Sequence, residues 1–417
     1  MYLSLYANAR GEILEHPFLG LLGRSGNEWV VPEENEMIPL PRGAALVKID
    51  HHHPVGLNIH EQPACIATDP LDDKQPAGAV AALLPQGFTR TLFPAGVKDK
   101  NEEGLPLLAY TAVGCKDGKM YCAAVQSDMH RKWHPVHYNT DGLPARINRM
   151  LKKHPGNRIL RQLARCSLEY GCFTAQNIFY QRWEGGIPTM SACNAACIGC
   201  ISEERHGVAS PQQRLNYRPS VEEIAELGTI HLMNARDAII SFGQGCEGEP
   251  SLNARDLSMA IRQVREKTSE GTININTNAG YTRGIKLMVE AGLDAMRVTM
   301  FSCLPHNYEL YHCPQDYNLD DVKKSIDYAK SQGVKVSLNL LIFPGFHDRE
   351  PELEALLSFV QNHGVDMIQM RNLNIDPELL MKTFPGGGPG IGIVNFLALL
   401  QEKVPAVEIA SYTHPVQ

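Results

Sequence analysis

The chain has 417 residues, which is enough for two or three compact domains. Hydrophobic residues make up 43% of it and charged residues 20%, and this composition excludes a disordered or low-complexity protein. Its 46 Asp and Glu outnumber its 39 Lys and Arg, for a formal charge of -7, so we expect no broad surface for nucleic acid.

The N-terminal residues lack the basic and apolar segments of a signal peptide. No apolar run approaches the roughly 20 residues that span a bilayer, so we expect a cytoplasmic protein without membrane contact. Because the cytoplasm keeps thiols reduced, the eleven cysteines predict metal binding or burial and not a disulfide framework.

Residues 1–140 are rich in Pro, Gly and short runs of strand-forming residues, of which 45–49 is the clearest. A hairpin is predicted over 114–121, where Asp117-Gly118 supplies the turn. This region is interpreted as a small β-rich N-terminal domain.

Residues 141–186 form a predicted helical linker. Its helical pattern covers 144–171 and is broken by Pro155-Gly156. Several Arg and Lys lie on the helices, and a solvated face is the expected role, with an acidic substrate or RNA as the alternative.

From residue 187 onward, strand and helix patterns alternate almost to the C-terminus. The predicted strands are 187–190, 238–242, 272–278, 295–301, 335–343 and 365–372. The predicted helices between them are 220–233, 254–267, 283–291, 319–332 and 350–362, followed by a helix at 391–403 and a short strand at 406–410. Such alternation predicts an α/β fold with a parallel sheet curled into a partial (βα)6 barrel over 187–417.

Three cysteines, Cys193, Cys197 and Cys200, lie in the loop after the first predicted strand. Thiolates separated by three and then two residues can converge on the irons of one cluster. Zinc is the competing metal, and its fourth ligand would be His206.

This CxxxCxxC loop, at the start of a run of βα units, resembles that of the radical SAM superfamily over about 187–375. The resemblance implies a [4Fe-4S] cluster whose fourth iron is chelated by the amino and carboxylate groups of S-adenosylmethionine. It further implies an enzyme in which an electron from a donor such as flavodoxin or ferredoxin cleaves S-adenosylmethionine to methionine and a 5'-deoxyadenosyl radical, which then abstracts hydrogen from the substrate.

The segment 242–250 stands where the family has a Gly-Gly-Glu-Pro turn, and its Gly248, Glu249 and Pro250 match that turn. By resemblance, the Glu249 carboxylate accepts hydrogen bonds from the methionine amino group. The first glycine of the family pattern is replaced by Glu247.

Strand pleating places alternate residues on opposite faces, so one face of each strand lines the barrel lumen. In the third predicted strand this face carries three asparagines, and polar residues recur in phase on the next three strands. These residues are Asn274, Asn276, Asn278, Arg297, Thr299, Ser337, Asn339, Gln369 and Arg371. A lumen this polar predicts a polar ligand, because unpaired polar groups are costly in an apolar core.

By resemblance, Asn276, Asn278 and Thr299 are candidates for the ribose and carboxylate of S-adenosylmethionine, and Asn339 is a further candidate in this site. Arg297 and Arg371 suit a carboxylate on the cosubstrate or the substrate.

Adenine is expected to pack at the end of the fifth strand, where Ile342 is the candidate contact. The family often has an aromatic residue just before the last cluster cysteine, and here that residue is Gly199. Adenine packing must then come from elsewhere, or the pocket is more open.

Cys246 and Cys303 follow predicted strands, at the end of the barrel where catalytic residues are placed. They are candidates for quenching a radical, binding a second metal or carrying a methyl group, with burial near the site as the alternative.

The substrate is expected to be a small polar molecule or a peptide, with the N-terminal domain clasping the substrate or capping the barrel. Two alternatives remain open. One is a radical SAM methyltransferase or peptide- or RNA-modifying enzyme, and the other is a non-catalytic protein that binds zinc or a cluster for structural reasons.

Overall fold

The computed structural model of the chain describes residues 1–99, 104–137, 140–205, 207–385 and 390–416. Its N-terminal strands are β1 (Leu3–Ala7), β2 (Ile13–Leu21), β3 (Gly23–Ser25), β4 (Glu28–Val30), β5 (Met37–Pro39), β6 (Ala45–Ile49), β7 (His52–Leu57), β8 (Pro63–Cys65), β9 (Thr68–Asp69), β10 (Asp72–Pro76), β11 (Ala79–Leu83), β12 (Phe88–Arg90), β13 (Phe93–Pro94), β14 (Gly96–Lys98), β15 (Tyr110–Thr111), β16 (Val113–Lys116) and β17 (Lys119–Gln126). They form a nine-stranded antiparallel sheet and three smaller sheets. The predicted β-rich region and its 114–121 hairpin, formed by β16 and β17, are therefore present.

Three helices follow, α1 (Leu143–Lys153), α2 (Arg158–Glu169) and α3 (Phe173–Tyr180). The predicted break at Pro155-Gly156 falls between α1 and α2. Asn157 begins α2 as its N-cap, where its side chain accepts a hydrogen bond from the Leu160 amide at 3.4 Å.

The C-terminal half is built on one sheet of parallel strands, arranged in chain order. These are β18 (Arg182–Gly186), β19 (Arg236–Phe242), β20 (Thr272–Thr277), β21 (Ala295–Met300), β22 (Lys335–Ile342), β23 (Met367–Asn372) and β24 (Glu408–Ala410). The helices are α4 (Val221–Asn234), α5 (Ala254–Lys267), α6 (Thr282–Val289), α7 (Pro305–His312), α8 (Leu319–Ser331), α9 (Glu350–His363), α10 (Pro377–Thr383) and α11 (Ile393–Lys403). The predicted α/β partial barrel is confirmed, with α7 and α10 as additional helices that the sequence analysis did not predict.

The first barrel strand lies earlier than predicted. It covers Arg182–Gly186, inside the predicted linker, and not 187–190. Two glycines and the absence of β-branched residues hide this strand in the sequence, whereas its pairing with β19 decides its place. Residues after Ile187 leave the sheet and pair instead with a loop that belongs to the site described below.

The main hydrophobic core lies between this sheet and its helices. Ile275, Val298 and Leu340 face the helices and are almost fully buried. Helix α4 begins with a reciprocal cap, in which Ser220 and Glu223 each bond the other's backbone amide, at 3.3 Å and 2.8 Å. The opposite face of the sheet is left to form the lumen.

The N-terminal region packs over the carboxyl ends of β22 and β23. Phe93 packs against Phe343 with the two rings tilted and their centroids 4.6 Å apart. The Asn372 side chain accepts from the Arg90 amide at 2.9 Å and donates to the Phe88 carbonyl at 3.0 Å. This packing makes the N-terminal region one wall of the barrel's open side.

After β24 the chain returns beneath the sheet as a tail, residues 411–416. The Thr413 hydroxyl meets side chains of the lumen, and the Val416 amide donates to the Thr272 hydroxyl at 2.8 Å. Among the residues described, no helix is long and apolar enough to cross a membrane.

Candidate active site

The three motif cysteines lie in the loop after β18 and are each half-buried. One side of this loop, residues 191–200 and called the cysteine loop below, is fixed to the end of α7. The Ala196 amide donates to the His312 carbonyl and the Ile198 amide to the Tyr311 carbonyl, both at 3.0 Å. The loop is therefore bonded to α7 along its backbone although it has no regular structure of its own.

Its other side is fixed to the glycine-rich turn after β19. The Gly248 amide donates to the Met190 carbonyl at 2.7 Å, and the Glu249 amide to the Ala192 carbonyl at 2.8 Å. A Cβ atom on Gly248 would lie only 2.1 Å from the Ala192 oxygen, so this close approach requires glycine. The structure thus brings together the two motifs that the sequence analysis singled out.

Glu247 holds this contact in place. Its carboxylate accepts from the amides of Gln244 and Thr189, both at 2.7 Å, and from the Met190 amide at 3.2 Å. Burial raises the pKa of Glu247 to about 7, against these hydrogen bonds, which favour the charged form. The departure from the family's glycine therefore has a structural role, which the sequence analysis missed.

The thiols of the cysteine loop lie close enough to repel one another when ionised. Burial, followed by the charge of Glu249, raises the pKa of Cys193 to about 11. Burial, with the neighbouring Cys193 and Cys200, raises the pKa of Cys197 well above its usual range. Bound iron would reverse this preference, because a coordinating thiol is held as thiolate.

A buried histidine contacts one of these sulfurs. His312 Nε2 accepts a hydrogen bond from the Phe301 amide at 3.2 Å, so the ring proton is on Nδ1, which lies 3.4 Å from Cys197 Sγ. Burial lowers the pKa of His312 to about 3, which keeps the ring neutral. His312 therefore donates to the Cys197 sulfur, and no spacing in the sequence indicated this.

Arg214 lies beside the third cysteine. Its guanidinium is 3.8 Å from Cys200 Sγ, donates to the Ser191 carbonyl at 3.3 Å and pairs with Glu203 at 3.1 Å. It thus adds a positive charge next to the cysteine loop, a second contact that the sequence analysis missed.

Tyr311 explains why residue 199 is glycine. A Cβ atom at Gly199 would lie 2.7 Å from the Tyr311 hydroxyl, so the space of the family's aromatic residue is filled from α7. The Tyr311 ring is buried and stacks on Phe301 with centroids 4.2 Å apart. The aromatic surface beside the cysteines is supplied from another part of the chain.

The described residues offer zinc no site. Among them, no group of three His, Cys, Asp or Glu side chains is placed to hold a single metal ion, and the candidate ligand His206 lies outside them. Zinc needs its ligands about 2.3 Å from one point, whereas a four-iron cluster takes its cysteines on separate irons. The donor set therefore fits a cluster better than a single ion.

Glu249 is buried at the joint between the turn and β20. Its carboxylate accepts from the Thr277 hydroxyl at 2.5 Å, from the Asn278 amide at 2.8 Å and from the Ser251 amide at 2.9 Å, just after Pro250 opens a short helical turn. An ionised carboxylate offers about four acceptor sites, so one remains for a ligand. Burial raises the pKa of Glu249, while the hydrogen bonds act in the opposite direction.

The predicted row of asparagines does face the lumen. Asn276 donates to the Gly243 carbonyl at 2.9 Å, and Asn278 donates to the Asn194 side chain of the cysteine loop at 2.7 Å. The Oδ1 atom of Asn274 is buried without a hydrogen-bond partner among the described residues. Such an orphaned acceptor fits a lumen that receives a polar ligand.

The remaining lumen residues fall into two groups. In the first, called the paired set, Arg297 bonds Glu184 at 3.3 Å, Gln369 at 3.1 Å and Thr413 at 2.9 Å, and Gln369 also donates to Ser337 at 3.2 Å. Arg297 is thus neutralised inside the protein. The prediction that it binds a carboxylate on the cosubstrate or the substrate is not supported, because Glu184 from the unrecognised first strand already pairs with it.

The second group, called the open set, consists of Thr299, Asn339 and Arg371. Each lies two residues nearer the carboxyl end of its strand than a member of the paired set. Thr299 and Asn339 are opposite each other in register, and neither side chain bonds any residue that the structure describes. These groups remain available to a ligand, and their contacts with one stay predictions.

Ile342 is placed differently from its prediction. It is fully buried in the core between sheet and helices, together with Leu338 and Leu340. By the pleat of β22, the lumen-facing neighbour is Leu341, which is half-buried. Register was the missing information, since a shift of one residue reverses the face.

Cys246 and Cys303 also lie in the main core and not in the lumen. Their exposures are 2% and 9%, and contact with Cys166 and burial raise the pKa of the Cys246 thiol. Burial raises the pKa of Cys303 as well. These surroundings argue against either thiol as a catalytic group or methyl carrier, and favour the alternative of plain burial.

Comparison with known proteins assigns the class of this barrel. Residues 187–357 match the family model of the radical SAM superfamily. The chain therefore carries a radical SAM domain, the domain of a superfamily of enzymes, and the predicted resemblance is confirmed.

Curated relatives match less than half of the chain. A GTP 3',8-cyclase of Aquifex aeolicus is 29% identical over 183 residues, 43% of this chain and 53% of that protein. A probable dual-specificity RNA methyltransferase RlmN of Chlorobium luteolum is 25% identical over 213 residues, 46% of this chain and 58% of that protein. The chain thus spans about half the length of the curated relatives it matches.

Solved structures are similar at the level of the fold. HydG, a maturase of the [FeFe]-hydrogenase, has a TM-score of 0.39 at 14% identity, over 64% of this chain and 62% of HydG. Streptococcus suis SuiB bound to its precursor peptide SuiA has a TM-score of 0.36 at 13% identity, over 56% of this chain and 52% of SuiB. Such values carry no information on substrate.

Proposed function

We propose that this protein is a radical SAM enzyme that binds a [4Fe-4S] cluster through Cys193, Cys197 and Cys200 and reductively cleaves S-adenosylmethionine. The observation that carries the proposal is the clamped cysteine loop, bound on one side to the Gly248-Glu249 turn and on the other to α7. Three cysteines can each bind one iron of a four-iron cluster, which leaves one iron for the cosubstrate.

When bound, the reduced cluster supplies one electron to the sulfonium of S-adenosylmethionine, which gives methionine and a 5'-deoxyadenosyl radical able to take a hydrogen atom from the substrate. The residues of the chain bind and orient S-adenosylmethionine. Glu249 offers its remaining acceptor site to an amino group, and Thr299 and Asn339 offer hydrogen bonds to polar groups over the strand ends.

Other residues exclude water and shape the cluster's surroundings. Leu341, the half-buried neighbour of Ile342 on the lumen face of β22, supplies the apolar contact that we propose for adenine in place of Ile342. His312 and Arg214 place a hydrogen-bond donor and a positive charge beside the cysteine sulfurs, and both favour the more negative, reduced state of a cluster. The electron is proposed to come from a small carrier protein such as flavodoxin or ferredoxin.

The test is anaerobic reconstitution of the full chain with iron and sulfide, followed by dithionite and S-adenosylmethionine. We expect a brown protein that releases 5'-deoxyadenosine, and Cys197→Ala should lose both the cluster absorbance and this product. Cys65→Ala, a change at an exposed cysteine of the N-terminal region, is the matched control and should retain both.

Two results would overturn the proposal. One is about one equivalent of zinc and no iron in the protein as isolated. The other is a fully loaded cluster that yields no 5'-deoxyadenosine with either dithionite or reduced flavodoxin.

A further inference from the structure

A cavity of about 500 Å³ lies between the N-terminal region and the end of β23. Its apolar wall is formed by Leu83, Leu84 and Phe88 of the N-terminal region. Phe173 of α3 and Tyr412 of the C-terminal tail also line it. The cavity is thus built from several separate parts of the chain, and Arg371 brings the lumen face of β23 to it.

Arg371 is the charged residue of this cavity. Its guanidinium stacks over the Tyr412 ring at 4.3 Å and donates one hydrogen bond, to the Ser411 carbonyl at 3.1 Å. No Asp or Glu is among the lining residues, and among the described residues no carboxylate lies within 4.0 Å of Arg371. Four of its five N–H groups therefore have no described partner.

The nearby Arg297 is an arginine of the same lumen whose charge is neutralised by a carboxylate. It is paired with Glu184, whereas Arg371 faces Leu341 in the register of β22 and β23. Arg371 is half-buried and has no carboxylate partner among the described residues, so its guanidinium is available to an anion. The same cavity offers Asn374 and Gln86, two half-buried amides that bond no residue the structure describes.

We propose that this cavity is the substrate site and that it takes a small organic anion, a carboxylate or a phosphate on an apolar body. Arg371 binds the anionic group through paired N–H donors, and the apolar wall of Leu83, Leu84 and Phe88 covers the body. A volume of about 500 Å³ is in the range of small-molecule pockets and too small for a folded partner. The assignment as substrate site rests on the proposed function, whereas anion binding does not.

Ligand-observed NMR on the reconstituted full-length protein with S-adenosylmethionine tests this proposal. Benzoate and phenyl phosphate are the anionic probes, and benzamide is the neutral one. We expect at least one anion to bind tenfold or more tightly than benzamide, and the better anion identifies carboxylate or phosphate as the preferred group. Equal binding of all three would overturn the proposal.

Variants then locate the site. Arg371→Gln should weaken anion binding tenfold or more and leave benzamide binding unchanged, while Arg371→Lys should keep part of the anion affinity as a point charge. The control is Arg149→Gln, an exposed arginine of α1, which should change neither. Unchanged anion binding in folded Arg371→Gln would overturn the proposal.

The proposal and the proposed function fail separately. Release of 5'-deoxyadenosine by the wild-type protein reports on the function alone. Anion binding without release of 5'-deoxyadenosine would support the anion site and reject its role as the substrate site of a radical enzyme. Release of 5'-deoxyadenosine without anion binding would support the proposed function and reject the anion site.

Discussion

The paired set and the open set lie on the same three strands, two residues apart, and have opposite fates. Arg297, Ser337 and Gln369 compensate one another with Glu184 and Thr413, whereas Thr299, Asn339 and Arg371 have polar groups left over. Polarity of a lumen residue therefore does not mark it as a ligand contact. The difference lies in whether another part of the chain has already satisfied the group.

The largest expected effect comes from breaking the paired set. Arg297→Met removes the nearest counter-charge of the buried Glu184 carboxylate and leaves it the more distant Lys132, so we expect the free energy of unfolding to fall by about 3 kcal/mol in urea titrations. The double variant with Glu184→Leu should recover most of this loss. Arg165→Met, which breaks an exposed pair with Glu169, is the control and should cost under about 0.5 kcal/mol.

The tail that completes the paired set is held by His414, which lies 3.1 Å from Asp128 and 2.9 Å from Glu408. These carboxylates raise the pKa of His414 to about 9 in the folded protein, above about 6.5 when unfolded. The stabilisation is therefore complete below about pH 6.5 and is lost as pH rises through 9.

We expect His414→Leu to remove about 1–2 kcal/mol at pH 6, a value reduced for solvent screening, and little at pH 10. Urea titrations at both pH values measure the difference from wild type. His306→Leu, at an exposed position on α7, should show no such pH-dependent difference. An equal loss at both pH values would mean that packing, and not charge, holds the tail.

The open set should give the reverse pattern. Asn339→Leu and Thr299→Val remove groups without described partners, so we expect unfolding free energies within about 0.5 kcal/mol of wild type. Affinity for S-adenosylmethionine should fall about three- to tenfold for each lost hydrogen bond. Anaerobic calorimetry on reconstituted protein measures this loss, and a large stability change with normal affinity would place the residue in the paired set.

The smallest effect concerns the hydrogen bond from His312 to Cys197. His312→Leu should make the cluster's midpoint potential more negative by about 40 mV, since a hydrogen bond is worth about 1 kcal/mol and 59 mV is tenfold for one electron. Potentiometric titration followed by EPR measures this shift.

His347 provides the control. It is as buried as His312 and bonds the Phe301 carbonyl at 2.6 Å, but it contacts no cysteine. His347→Leu should destabilise the fold without changing the potential. A similar shift in both variants would show that loosened packing, and not the hydrogen bond, changes the cluster.

The sequence analysis succeeded where local pattern is enough. The cysteine spacing and the 248–250 turn pointed to the same site, and alternation of strands and helices predicted the barrel. It was wrong about the first strand, because Arg182–Gly186 has weak strand propensity and is defined by its partner β19. The prediction that Ile342 contacts adenine was wrong for a related reason. A shift of one residue along the strand moves a side chain from the lumen to the core.

Arg297 and Arg371 show most clearly what the sequence alone could not predict. Both are arginines in the same phase of strands β21 and β23, which β22 separates, and nothing local distinguishes them. The distinction comes from Glu184 and Thr413, which lie 113 residues before and 116 residues after Arg297 in the chain.

The sequence by itself determined the class of chemistry, cluster binding and cleavage of S-adenosylmethionine, because the spacing of the cysteines and the alternation of strands and helices are local properties of the sequence. Only the tertiary structure decided which lumen residues remain free, that His312 donates to Cys197, and that Tyr311 fills the space beside Gly199. These features depend on distant segments meeting, and the free energy of a buried polar group is set by the partner it finds there.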